Sequence, residues 1–108
     1  MAAAMPEPRR GQVWLADLDK RRPVIVLTRD PLGRYLNSVL VAPVTSTVRG
    51  VSTEVAVGPA DDVRVPSVAN LDNLQLVDRR LLVRHVGKVQ SQTLHDLCAA
   101  ASIALGCR

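Results

Sequence analysis

Aromatic residues are nearly missing from this 108-residue chain: no phenylalanine, one tryptophan (Trp14) and one tyrosine (Tyr35). Val, Leu, Ile and Ala must fill the core, and such β-branched aliphatic content suits strands. Cysteine is scarce too. Cys98 falls on an apolar helical stripe and Cys107 near the C-terminus, which excludes a disulfide scaffold and suits a reducing cytoplasm. No apolar run approaches the ~20 residues of a spanning helix, so no membrane span is expected. Residues 1–8 lack the apolar stretch of a secretory signal and read as a disordered tail before one domain at 9–108. Lysine is rare, two against twelve arginines, within a net charge of +4. Arginine offers phosphate a rigid fork, so this balance suits a nucleic-acid partner, although a solvated surface explains it as well.

Several kinds of chemistry are excluded by what is not written. There is no C-x-x-C, H-E-x-x-H or carboxylate cluster to hold a metal, and no glycine-rich phosphate loop, so neither a metal nor a cofactor is expected. His85 and His95 are the only histidines. Neither neighbours a basic or nucleophilic group in sequence, so a histidine acid–base pair is set aside.

What is present reads as strands. Residues 12–18 alternate, 23–28 form a continuous apolar strand after the basic turn Lys20-Arg21-Arg22, and 38–44 follow a turn signal at 30–33. Residues 51–57 alternate clearly, with Val51, Thr53, Val55 and Val57 on one face. Residues 67–77 read as one extended segment, 78–81 as a turn and 82–89 as a last strand. Ser91 is the expected N-cap of a C-terminal helix whose stripe is Leu94, Leu97, Cys98, Ala101 and Leu105, with Gly106 as its stop. About six strands with connections too short for βαβ crossovers imply a mainly β fold: an antiparallel sheet, strongly bent or barrel-like, plus one C-terminal α-helix.

Two polar residues stand at the ends of apolar strands. Arg22 precedes Pro23-Val24-Ile25-Val26-Leu27-Thr28, and Thr45 ends Val41-Ala42-Pro43-Val44. In neighbouring strands, a guanidinium and a hydroxyl would face one phosphate. The residues alone leave two plainer readings open: a surface charge in a tight turn, and a strand-end hydroxyl bonded to nearby backbone.

Those segments, with Gly11-Gln12-Val13-Trp14-Leu15-Ala16-Asp17-Leu18 before them, Ser67-Val68-Ala69-Asn70-Leu71-Asp72-Asn73-Leu74 and Gly87-Lys88-Val89 after them, resemble the MazF/PemK family of toxin endoribonucleases. The resemblance runs in one order from about residue 9 to 106. It implies an SH3-like barrel of the MazF/CcdB type and a cytoplasmic homodimer, paired with a cognate antitoxin protein. The implied activity is metal-independent cleavage of single-stranded RNA to 2′,3′-cyclic phosphate and 5′-hydroxyl ends. It assigns Arg22 and Thr45 as catalytic, and Ser67, Asp72 and Asn73 as substrate contacts; Arg21 and Ser46 beside them are further candidate substrate contacts, and Asp72 is the nearby candidate base in sequence. One departure is plain: typical members have a longer loop between the first two strands, where this chain has only Asp19-Lys20-Arg21-Arg22. Arg21, or Arg49 in Thr47-Val48-Arg49-Gly50, is the candidate replacement, and the cleavage sequence does not carry over. A gyrase-poisoning toxin of CcdB type, which shares the fold, and an inactive RNA- or protein-binding module are the alternatives.

Overall fold

The computed structural model describes residues 6–30, 32 and 36–106. Its elements are β1 (Gln12–Asp17), β2 (Arg21–Val26), β3 (Ser38–Thr45), β4 (Glu54–Val57), β5 (Ser67–Asn70), β6 (Gln75–Asp78), β7 (Leu82–Lys88) and α1 (Ser91–Ala104). Short 3-10 turns occupy Pro59–Asp61, Leu71–Asn73 and Arg79–Leu81. Tyr35, Cys107 and two of the four residues of the 30–33 turn, Pro31 and Gly33, lie outside the described residues.

Every pairing is antiparallel, in the order β4-β5-β3-β2-β1-β7, with β6 also on β3. The sheet bends without closing, since β4 and β7 stand at opposite ends of that order. β2 is central, as its apolar run on both faces requires, and Val24, Ile25 and Val26 are fully buried. β3 shares one edge between two strands. Ser38 to Val41 pair with β6, whereas Val44 and Thr45 pair with β5. The change falls at Ala42–Pro43, where proline has no N–H to give a ladder.

Alternation along the strands divides the core in two. Val13, Ile25, Ala42 and Val44 face α1 and pack with its Leu97 and Ala100. Ala16, Val24, Val26, Val39 and Val41 fill the opposite side with Val77 and Leu82, and Trp14 and Leu18 lie half-buried against them.

The structure corrects the sequence reading at several points. Arg22 is no turn residue: it lies within β2 opposite Ala16, and Pro23 follows inside the strand opposite Leu15. Strand 51–57 begins only at Glu54, because the Glu54 side chain folds back on residues 49–51. Segment 67–77 is two strands split by the Leu71–Asn73 turn, whose apolar Leu71 is buried and so hides the break. Gln90, not Ser91, is the cap of α1. Its backbone N–H donates to buried Asp61 Oδ1 at 2.9 Å, a carboxylate brought to the helix start from the Pro59–Asp61 turn. Leu105 is 69% exposed rather than on the packed stripe. Cys98 is half-buried, its thiol accepting from Arg10 Nη2 instead of sitting in the core. The expected loose tail is anchored at its end, for Pro8 is buried and Pro6 O accepts from the Arg79 guanidinium. The φ of +72° at Gly106 fits its role after the helix.

Ile25 is fully enclosed between β1, β3 and the helix side of the core. Ile25→Ala is expected to lower unfolding free energy by about 2–5 kcal/mol, measured by urea denaturation.

Candidate active site

β1 and β2 form a hairpin whose pairing runs to Asp17 and Arg21, leaving Leu18, Asp19 and Lys20 as the loop. Arg22 is thereby fixed at the first turn-proximal position of the inner sheet face. Its side chain is 28% exposed, and its Nη2 lies 3.8 Å from Asp19 Oδ1, a carboxylate that is itself 80% exposed. The Arg22 Nε is buried and has no hydrogen-bond partner among the described residues. A buried donor without an acceptor costs about 1–3 kcal/mol, more when charged, so its place calls for an explanation.

That guanidinium opens on a groove of about 700 Å³. Leu18, Asp19 and Arg22 line one wall, Pro43 the floor, and Asp72, Asn73, Leu74 and Gln75 the other. The second wall is set where β3 hands its edge from β6 to β5, at the Leu71–Asn73 turn that joins those strands and packs on β3. Asp72 is held there from both ends. Its backbone N–H donates to Asn70 Oδ1 at 2.9 Å, and one carboxylate oxygen, Oδ2, accepts a short bond from the Thr53 hydroxyl. Thr53 is buried, and its carbonyl accepts from Leu71 N–H at 2.9 Å. Thr53 thus orients a carboxylate far along the chain, a role for which its sequence surroundings hold no signal.

Thr45 is reached by register. Val24 pairs with Pro43, and carrying that ladder two residues on sets Thr45 level with Arg22, on the face Pro43 presents to the groove. Its hydroxyl accepts from Thr47 N–H at 3.1 Å, as the plainer reading expects. A hydroxyl that accepts still has its proton to donate, so this bond orients Oγ1 without spending its donor.

The other expected contacts are not gathered here. Arg21 points to the opposite strand face and lies 3.8 Å from Asp17. Ser46 is exposed beyond the end of β3, and Ser67 turns its hydroxyl to Val65 O at 2.7 Å. Arg49 is engaged with Glu54, 3.6 Å from Oε2. Arg22, Asp72 and Asn73 therefore share the groove, Thr45 adjoins Arg22, and Asp19 and Gln75 are groove residues the sequence did not single out. Among the described residues, no group of three or more His, Cys, Asp or Glu comes together. Nor is any described helix long and apolar enough to cross a membrane.

A mainly β domain that sets an arginine on the wall of a polar groove, with a hydroxyl level with it on the next strand, is suited to an anionic, phosphate-bearing ligand. The chain belongs to the PemK-like, MazF-like toxin family of type II toxin–antitoxin systems, matching it over residues 9–105. It is 37% identical over 103 residues to the probable endoribonuclease MazF5 of Mycobacterium tuberculosis, spanning 93% of this chain and 94% of that protein. Among solved structures, the Mycobacterium tuberculosis toxin MazF-mt6 superposes with a TM-score of 0.85 at 37% identity, over 90% of this chain and 98% of that one. An endoribonuclease in complex with its cognate antitoxin, from a mycobacterial species, gives 0.84 at 31% identity, over 92% and 95%. These relatives do not favour the gyrase-poison alternative.

The loop after Thr45 is pinned by Glu54. Its side chain is 3% exposed, and Oε1 accepts from Arg49 N–H at 3.0 Å and Gly50 N–H at 2.8 Å. Burial by itself raises this carboxyl's pKa, but the backbone donors at Gly50, Arg49 and Val51, with the Arg49 charge, outweigh it and leave the value below 4.5. A depressed carboxylate stabilises the fold above its unfolded pKa and loses that contribution as pH falls through its folded pKa. Glu54→Gln is therefore expected to flatten the decline of melting temperature with acid below about pH 4.5, measured by thermal scans across pH.

Proposed function

We propose that this chain is a metal-independent endoribonuclease, the toxin of a type II toxin–antitoxin pair, and that Arg22 and Thr45 act on the scissile phosphate. The observation that carries the assignment is the part-exposed Arg22 side chain on one groove wall, with Asp72 and Asn73 on the other. A guanidinium grips phosphate through two parallel N–H bonds.

The reaction needs no protein nucleophile. The substrate's 2′-oxygen attacks the adjacent phosphorus, the bond to the 5′-oxygen breaks, and the 2′-OH proton is lost as the leaving oxygen gains one. The cyclic phosphate and 5′-hydroxyl account for all atoms. Arg22 holds the phosphate in line and stabilises the charge gathering on its oxygens, and Thr45 donates to another of them. A guanidinium stays protonated at neutral pH, so Arg22 serves as electrostatic partner rather than base. Asp72, with Oδ2 taken by Thr53, presents its remaining oxygen to sugar or base, and Asn73 and Gln75 offer amides beside it.

The hairpin loop is short, so substrate is gripped chiefly from the Asp72 wall. The activity resides in one domain at 9–108, in the cytoplasm, where a cognate antitoxin would cover the groove. Exposed Leu76 (72%) and Leu105 (69%) both adjoin Leu40 and give a second copy of the chain an apolar surface to meet, as a homodimer requires.

Purified protein in EDTA is expected to cut single-stranded RNA, but not DNA of the same sequence, and to leave 2′,3′-cyclic phosphate and 5′-hydroxyl ends. Arg22→Ala or Thr45→Ala is expected to slow cleavage at least about a hundredfold. Undiminished cutting by either variant would remove that residue from the mechanism, and intact RNA with the wild type would leave a binding module.

A further inference from the structure

Trp14 on β1 and His85 on β7 stack with ring centroids 5.1 Å apart and planes inclined by 26°. Neither lines the groove at Arg22, and the cleavage chemistry does not use them. Both are nevertheless fixed. Trp14 is half-buried against the inner core, and its Nε1–H donates to Gln12 Oε1 at 3.0 Å, an oxygen that also accepts from Arg9 N–H at 2.8 Å. His85 Nε2 lies 3.0 Å from Gly87 O, and since a carbonyl can only accept, Nε2 carries the proton. Gly87 is itself confined: any side chain there would collide with the Asp62 carboxylate, which accepts from Lys88 N–H at 3.0 Å.

A break in the ladder creates the stack. Val13 pairs with Gly87, and an unbroken register would bring Val86 opposite Trp14. β7 instead carries an extra residue at Val86, so His85 meets Trp14 while Val86 is left unpaired and 39% exposed. Bulges re-aim side chains in this way. Here the bulge leaves a valine exposed on an edge strand, and what it secures is an imidazole laid over an indole with the imidazole toward solvent.

The pair shares a sheet face with the groove. Trp14 pairs with Val24, two residues from Arg22, and packs on the same core as groove-lining Leu18 just past the end of β1. Exposed Lys88, opposite Gln12, continues that face past the rings. A single strand with its scissile phosphate at Arg22, running along β1, would pass an unpaired base over His85 and a phosphate near Lys88.

We propose that Trp14 and His85 form a base-stacking subsite for single-stranded RNA, separate from the groove that takes the scissile phosphate. This rests on the nuclease reading for the course of the strand. Stacking accepts any base, so the subsite adds affinity and not sequence choice.

Trp14 is the only tryptophan, so its fluorescence reports on the subsite directly. The wild-type protein is titrated with a 2′-O-methyl oligoribonucleotide, which cannot be cut, and with an abasic sugar–phosphate oligomer of equal length. The base-bearing oligomer is expected to quench Trp14 and the abasic one to leave it unchanged. His85→Ala should weaken binding about tenfold, and His85→Phe should restore it. Equal affinity of His85→Ala and wild type, or equal quenching by the abasic oligomer, overturns the proposal. So does Trp14 emission that follows protein concentration without any oligonucleotide, which assigns the face to self-association. Cleavage of RNA in EDTA, scored on the same preparation, tests the nuclease reading separately: quenching without cleavage supports the subsite and overturns that reading.

Discussion

β3 gives one edge to two strands, and the rest of the molecule is arranged around the point where they part. Up to Val41 the edge belongs to β6, and from Val44 it belongs to β5. Between them stands Pro43, which has no N–H to pair and forms part of the groove floor. The turn that joins those two strands packs on β3 and lines the groove with Arg22. Asp72 and Asn73 are brought to the groove of Arg22 by that turn, although about fifty residues separate them in the chain. The two cores follow from the same bend, one against α1 and one enclosed by the sheet.

The groove joins opposite electrostatic demands. Arg22 is placed in a strand, partly out of water, and among the described residues its Nε is unsatisfied and its ion-pair neighbour is an exposed aspartate at 3.8 Å. Asp19 is too exposed to lock it, which leaves the guanidinium free to exchange a weak partner for a stronger one. The opposing Asp72 is fastened by Thr53 and Asn70, so the wall facing the substrate is rigid where the arginine is receptive. Preorganised donors facing a phosphate supply electrostatic stabilisation without reorganisation during the reaction.

Much of the fold was legible because burial writes itself into periodicity. Val24-Ile25-Val26 reads as a central strand, and it is one. Arg22 and Thr45 were legible as polar ends of such strands. What escaped was made by contacts across the chain. Leu71 is apolar and buried, so alternation runs straight through a turn. Glu54 ends its strand early by binding backbone at 49–51, and Asp61 caps a helix that begins many residues later. Thr53 looks like one more alternating residue, yet it aims Asp72. The expected site also took in Arg21, Ser46 and Ser67, and none of these lines the groove: alternation turns Arg21 away, Ser46 lies past the strand end, and Ser67 bonds its own loop.

The central claim is that the Arg22 guanidinium, followed at its Nε–H, binds a phosphate oxygen in the groove. Its proton and nitrogen resonances can be followed by NMR while a 2′-O-methyl oligoribonucleotide is added. The account predicts a downfield shift and slowed solvent exchange of that N–H as the groove fills. An Arg22 Nε–H that stays where it began while the oligomer saturates the protein would contradict it.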